Sequence, residues 1–183
     1  MKQHPTLDYS SLPLSTDDRR DLRSDHAGEH GAVAIYRGML TVTRDRELIR
    51  FSRRHLLTES RHLRFFDRFL PPAGKSRLLP VWWLAGWLLG AGSALFGPRA
   101  AYATIAAVER FVEDHYNEQI ASMRGRPGLE ALVDILEQFC ADEVHHRDDA
   151  LQSIAHEESG MARAWGRIVD GGSRVGVAIA RVI

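Results

Sequence analysis

The chain has 183 residues, 44% of them hydrophobic, with 24 Lys and Arg against 24 Asp and Glu and a single cysteine. That length supports one domain with a substantial core and is short for two. Balanced charge gives no overall basic excess to hold nucleic acid, and a lone cysteine excludes both a disulfide framework and a thiolate-rich metal site.

Residues 1–20 are polar and include Asp8, Asp17 and Asp18. They are expected to be flexible, with 21–183 forming the single domain. This stretch lacks the apolar run of a secretory signal and the acid-poor character of a transit sequence, so the expected location is the cytoplasmic side of a bacterial-type cell, or else the chain is a trimmed mature form.

Strand signals are weak and apolar spacing of three and four residues recurs, which predicts an all-α chain. A first helix is predicted from near Ser24, as its N-cap, to about Thr43, with Glu29, Val33, Tyr36 and Leu40 on one face. A second runs from near Asp45 to Leu70, stopped by Pro71 and Pro72, and places Glu59, His62, Phe66 and Phe69 together. The third is the apolar stretch that follows Pro80. A fourth, from near Pro98 to Met123, carries Tyr102, Ile105, Glu109, Val112 and Tyr116 on one stripe. Gly125 and Pro127 separate it from a fifth, reaching about Ala155, whose stripe is Leu132, Leu136, Phe139, Glu143, His146 and Ala150. Cys140 on this helix reads as inert core. A last apolar helix starts near Gly160 and is expected to bend around Gly171 and Gly172.

Ionisable side chains thus occupy the stripes that should face a core. A lone Glu precedes a Glu-x-x-His pair twice, as Glu29 then Glu59 with His62, and Glu109 then Glu143 with His146, at intervals of 30 and 34 residues. Four inward carboxylates without a partner would destabilise the fold by several kcal/mol, on the order of the cost of burying unpaired charge, so they require a cation. Two single Glu and two Glu-x-x-His form the ligand set of a carboxylate-bridged two-metal centre in a four-helix bundle. Oxygen and nitrogen donors without thiolate suit iron or manganese, and the arrangement is the di-iron one.

Two surface features carry open readings. Residues 1–77 hold fifteen Lys/Arg against ten Asp/Glu, and the remainder nine against fourteen. Arg44, Arg46, Arg50, Arg53, Arg54, Arg61, Arg64 and Arg68 could face anionic lipid or form a solvated helix surface. Leu78 to Gly97 is twenty residues without a charge and includes Trp82, Trp83 and Trp87, long enough to count as a spanning candidate. A crossing would leave Glu59 and Glu109 on opposite sides, so a helix lying in the membrane interface is expected, the alternative being an apolar helix buried in a core or an oligomer.

From about Arg23 to the C-terminus the chain resembles the demethoxyubiquinone hydroxylase family, membrane-associated di-iron monooxygenases of ubiquinone biosynthesis. The likeness rests on Asp25-His26-Ala27-Gly28-Glu29, the Glu59 to His62 motif and Leu89-Gly90-Ala91-Gly92-Ser93-Ala94-Leu95-Phe96-Gly97. It continues in Ala107-Val108-Glu109, His115-Tyr116-Asn117 and Asp142-Glu143-Val144-His145-His146-Arg147-Asp148. The chain departs from many members at Arg110, where they carry a second acid; that neighbour points away from the stripe. The last motif allows a second frame, Asp142 with His145, which the family frame and the stripe both reject.

The resemblance implies a ferritin-like four-helix bundle with an additional membrane-interface helix and a C-terminal helix. It implies Glu29, Glu59, His62, Glu109, Glu143 and His146 as ligands of two iron ions, with Glu59 and Glu143 bridging. His115 and Tyr116 match a pair near the metal, a relay or, equally, ordinary packing. Asp25, His26, Asp142 and Asp148 are further groups around the ligands, or surface and capping residues. The implied activity is O2-dependent hydroxylation of a polyprenylated benzoquinol, 3-demethoxyubiquinol, by a peripheral protein on the cytoplasmic face of the inner membrane, or the matrix face in mitochondria. Neither a Gly-rich dinucleotide fingerprint nor an iron–sulfur cysteine set is present, so an external electron donor is expected, and other ubiquinone-biosynthesis proteins are candidate partners. Rival readings are a ferritin-like di-iron peroxidase or ferroxidase, for which the Trp-rich stretch has no use, and a non-catalytic membrane-associated scaffold.

Overall fold

The structure is a computed structural model that describes residues 7–154 and 160–183, with the side chains of 161–164 left aside. The described residues form six α-helices: α1 Thr16–Val42, α2 Arg46–Phe69, α3 Leu79–Leu95, α4 Pro98–Met123, α5 Glu130–Ser153 and α6 Gly160–Ala180. Short 3-10 turns lie at Tyr9–Ser11 and Pro72–Gly74, and no strand occurs among the described residues. The expected flexible stretch 1–20 falls partly on residues 1–6, outside the described residues.

The first helix begins earlier than its stripe suggests. Ser15 Oγ accepts from the Asp18 N–H at 3.1 Å, and the Asp18 carboxylate accepts from the Ser15 N–H at 2.6 Å, a reciprocal cap that fixes the start at Thr16. Ser24 is therefore no N-cap; it is buried within α1 and donates its hydroxyl to the Asp21 carbonyl. Asp45 caps α2 by accepting from the Leu48 N–H at 2.8 Å. Between α3 and α4, Gly97 turns the chain with φ 102°, which any Cβ would resist, and Pro98 opens the next helix.

Helices α1 and α2 form one antiparallel hairpin and α4 and α5 another, and the hairpins close into a four-helix bundle through α1 with α4 and α2 with α5. Two apolar layers sit at its ends. One contains Leu22, Phe66, Phe69, Ile120, Met123, Leu132 and Phe139; the other contains Tyr36, Met39, Leu48, Phe51, Tyr102, Ile105 and Ala150. Each of the four helices passes from one layer to the other, and the predicted ionisable residues occupy the level between.

Helix α3 lies along the outside of α1 and α6 packs on α4 and α1. The α1 and α3 backbones come unusually close. A Cβ built on Gly90 would collide with the carbonyl of Ile35, one on Gly86 with Gly31, and one on Gly38 with the backbone of Trp87 and Ala91. Absence of side chains at these three positions lets an otherwise featureless apolar helix dock on the bundle. Among the described residues no helix is long and apolar enough to cross a membrane.

Candidate metal centre

Glu29 from α1, Glu59 and His62 from α2, Glu109 from α4 and Glu143 and His146 from α5 meet midway along the bundle, each 1–4% exposed. The i to i+3 spacing within α2 and within α5 sets carboxylate and imidazole on one helix face, one above the other. Asp142 and His145, the rejected frame of the α5 motif, face outward: the Asp142 side chain is 47% exposed and His145 is exposed.

The donor atoms fall into two overlapping groups, each within 4.8 Å: Glu29, Glu59, His62 and Glu143 in one, Glu59, Glu109, Glu143 and His146 in the other. Glu59 and Glu143 belong to both. His62 Nδ1 lies 3.0 Å from Glu143 Oε1 and 3.7 Å from Glu29 Oε1; His146 Nδ1 lies 2.8 Å from Glu59 Oε1 and 3.1 Å from Glu143 Oε2. Short as these separations are, Glu29 Oε2, Glu59 Oε1, Glu143 Oε1 and His62 Nδ1 have no aligned hydrogen-bond partner although buried. Their lone pairs converge on shared space rather than along N–H bonds. Four buried carboxylates against two imidazoles leave excess negative charge even with both rings protonated; two divalent cations would neutralise the four carboxylates with the rings neutral. The donor set therefore fits two metal ions.

Protonation among the six residues follows the same imbalance. Burial, reinforced by neighbouring carboxylates, raises Glu29 and Glu109 well above the carboxylate range. Burial opposes ionisation of His62 and His146 as well, but the surrounding carboxylates prevail and raise both. Against its own burial, Glu143 is held low by the hydrogen bond from His146 and by the nearby imidazole of His62.

Outer groups orient the inner ones. Tyr116 donates to Glu29 Oε1 at 3.0 Å and Tyr36 donates to Glu109 Oε1 at 3.2 Å. Burial raises both phenols, keeping them donors. His62 Nε2 meets Asp142 Oδ2 at 3.0 Å, fixing the ring from its far side. His115 stands one row away from the carboxylates and pairs with Asp25 Oδ1 at 2.9 Å, the other Asp25 oxygen accepting from Gln119 at 2.9 Å. Of the further groups named from sequence, Asp148 pairs with Arg147 and His26 with Asp67, both away from the six.

Sequence reasoning missed His55, which is buried, meets Asp149 Oδ2 at 2.7 Å through Nε2 and stacks edge-on to His146 at 4.3 Å. Burial, followed by the charge of His146, lowers it to about 4. Its position four residues before Glu59, on a stripe that begins at Phe51, was the available signal.

Above the carboxylates lies an apolar cavity of about 380 Å3. Glu29, Glu59, Glu109 and Glu143 reach its floor, while Ile35, Trp82, Leu89, Val108, Trp165 and Val177 line its walls.

An all-helical bundle whose middle layer gathers four carboxylates and two imidazoles, under an apolar chamber, is of the class of helical bundles whose core could hold metal ions. The particular family follows from sequence comparison. The family model for ubiquinone biosynthesis protein COQ7 matches residues 18–180, and the chain belongs to that family. The chain is 40% identical over 133 residues to a 3-demethoxyubiquinol 3-hydroxylase of Rhodospirillum rubrum, covering 70% of this chain and 61% of the relative. It is 34% identical over 138 residues to the mitochondrial NADPH-dependent 3-demethoxyubiquinone 3-hydroxylase of Rattus norvegicus, covering 73% and 64%. With the Homo sapiens protein of the same name it shares 32% over 165 residues, covering 86% and 74%. The chain thus spans less than two thirds of the length of the first two relatives.

Proposed function

We propose that this protein is a di-iron monooxygenase that hydroxylates a polyprenylated benzoquinol, 3-demethoxyubiquinol, in ubiquinone biosynthesis. The observation that carries the reading is the six-residue donor set on the floor of an apolar cavity, in a chain of the COQ7 family. Glu29 and His62 would hold one iron ion and Glu109 and His146 the other, with Glu59 and Glu143 shared by both. When bound, the pair of ions supplies reductive activation of O2.

The chain's own residues do the rest. Trp82, Leu89, Ile35 and Trp165 present aromatic and aliphatic surface to a quinol ring and the start of its tail, and they keep bulk water from the carboxylates. Tyr116 and Tyr36 hold protons at Glu29 Oε1 and Glu109 Oε1, where they orient each carboxylate. Asp142 orients the His62 ring through Nε2. The His115 and Asp25 pair lies beside Tyr116 at the cavity edge, where it can exchange protons with solvent without touching the donor set. Electrons arrive from an external donor.

The protein is proposed to work at a membrane surface, on the cytoplasmic face of a bacterial inner membrane or its mitochondrial matrix equivalent. Val81, Leu84, Leu88, Leu95 and Phe96 of the α3 region and Ile168, Val175, Ile179 and Val182 of the α6 region are all 38–87% exposed. These two helices also form the cavity walls, so a lipid tail lying among the exposed side chains has a short path inward. The chamber and this surface favour a lipid-like substrate over the peroxide or iron of the rival readings.

Anaerobic loading with ferrous iron, metal counting and Mössbauer spectroscopy, followed by addition of a short-tailed demethoxyubiquinol, a reductant and O2, tests the proposal. Two irons per chain in a coupled diferric state and a product heavier by one oxygen atom are expected. One iron or none, or two irons without formation of the oxygenated ring product, refutes it.

A further inference from the structure

A second group of possible metal ligands, sharing no residue with the buried centre, lies where the N-terminal half of α1 faces the end of α2. His26 and His30 stand one turn apart on α1, and Asp67 projects toward them from the last turn of α2. One donor atom from each lies within 4.8 Å of the other two. His26 is wholly buried, with Nε2 2.9 Å from Asp67 Oδ1, and its ring meets that of His30 edge-on with centroids 4.8 Å apart. Its other nitrogen, Nδ1, is buried without a partner. The Asp67 side chain is 43% exposed and His30 is half-buried, so the group is reached from solvent.

We propose that His26, His30 and Asp67 form a separate site for one borderline divalent transition-metal ion, of the zinc, cobalt(II), nickel(II) or copper(II) class. Two imidazoles and one carboxylate, without thiolate, suit such ions, whereas calcium and magnesium take mainly oxygen donors. With metal–ligand bonds of about 2.0–2.2 Å, adjacent donors around an ion stand roughly 3 Å apart, close to the present His26 to Asp67 separation. Histidines at i and i+4 supply a chelating pair from one helix, and only the carboxylate must come from elsewhere. The open side leaves room for water ligands, which makes the site an exchangeable one.

A cation already uses the same carboxylate. Lys75 Nζ lies 3.3 Å from Asp67 Oδ1 and donates to the Asp67 backbone carbonyl at 2.9 Å. A divalent ion entering the site competes with this ammonium for the carboxylate, and Lys75 keeps the carbonyl. Once bound, the ion ties α1 to the end of α2 and so braces the stretch of α1 that carries Glu29.

The full chain, first loaded with ferrous iron under anaerobic conditions, is titrated with zinc chloride, and iron and zinc are counted after desalting. The wild-type protein is expected to take up one zinc per chain while retaining its iron. The variants His30→Asn and Asp67→Asn are expected to lose that equivalent with unchanged iron content, and Lys75→Met to bind it more tightly. Cobalt(II) in place of zinc should give a visible d–d band that both loss variants abolish. No zinc beyond displaced iron in the wild type, or an equivalent retained undiminished by Asp67→Asn, overturns the proposal. The half-exposed Asp67 position decides the matter even if His30→Asn folds poorly. Iron stoichiometry is read in the same samples, so failure of the buried centre is distinguished from failure of this one.

Discussion

Replacing Gly90 with alanine should destabilise the protein although alanine is the better helix former. A Cβ at this position would lie inside the carbonyl oxygen of Ile35, with Ile35 C at 2.7 Å and Cα at 2.8 Å. All three are backbone atoms of a regular helix, so none can rotate aside. Ordinary contact begins near 3.4 Å, and α3 must therefore shift away from α1 along a seam that also includes Gly86 and Gly38. Overpacking of this kind costs about 1–3 kcal/mol, and rigid neighbours place this case at the upper end. Helix propensity returns about 1 kcal/mol. The net loss is about 2 kcal/mol, which for a domain of this size lowers Tm by about 4–8 °C. Gly92, two residues along the same helix, has nothing within 4 Å of its Cβ position, so Gly92→Ala should be neutral or stabilising by up to about 1 kcal/mol. Thermal melts followed by circular dichroism at one scan rate give both values. Equal effects at the two glycines would refute the close-packed seam.

Three further outcomes are expected. Glu143→Ala, which removes an atom common to both donor groups, should abolish iron binding and hydroxylation while leaving far-ultraviolet circular dichroism largely intact; loss of most helical signal would make the residue primarily structural. Leu88→Glu, at a side chain 55% exposed on α3, should release the protein from liposomes in a flotation assay; unchanged partitioning would remove the case for this surface. Leu89 lines the cavity and so does not test the same thing. Arg126→Gln should cost about 1 kcal/mol near neutral pH, because Arg126 donates to both Asp18 oxygens at 2.9 and 2.8 Å. Burial opposes ionisation of Asp18, but the hydrogen bonds from Arg126 and Ser15 prevail and lower it. A depressed carboxylate stabilises the fold above its unfolded value of about 3.9 and loses that contribution as pH falls through the folded value. Urea melts of variant and wild type should therefore converge in acid; a gap that persists there would contradict the linkage.

Much of the molecule is legible in the chain because helix periodicity is a local property. The stripes through Glu59, Glu109 and Glu143 fix which face of each helix is inward, and burial of the whole predicted α5 stripe from Leu132 to Ala150 follows from that periodicity alone. Local capping is also written in sequence. Ser15 with Asp18 is a readable start signal, overshadowed by the stripe that made Ser24 look like the first residue.

Contacts between helices depend on register and crossing angle, which no local pattern specifies. Asp142 reads as a surface residue until α5 lies beside α2 and brings it to His62. His55 and Asp149, separated by 94 residues, meet only in the folded bundle. Gly86, Gly90 and Gly92 all suit close helix packing by residue type, but only the fold shows that Gly86 and Gly90 meet α1, at Gly31 and Ile35, while Gly92 meets nothing within 4 Å.

The sequence by itself determined the inward faces of four helices, α1, α2, α4 and α5, and with them the candidate donor residues, because side-chain direction repeats every 3.6 residues whatever the surroundings. Tertiary structure alone decided that an apolar chamber opens over the carboxylates between α3 and α6, and that His26, His30 and Asp67 converge elsewhere. Each of these is a distance between helices remote in sequence, set by how closely their packed surfaces can approach.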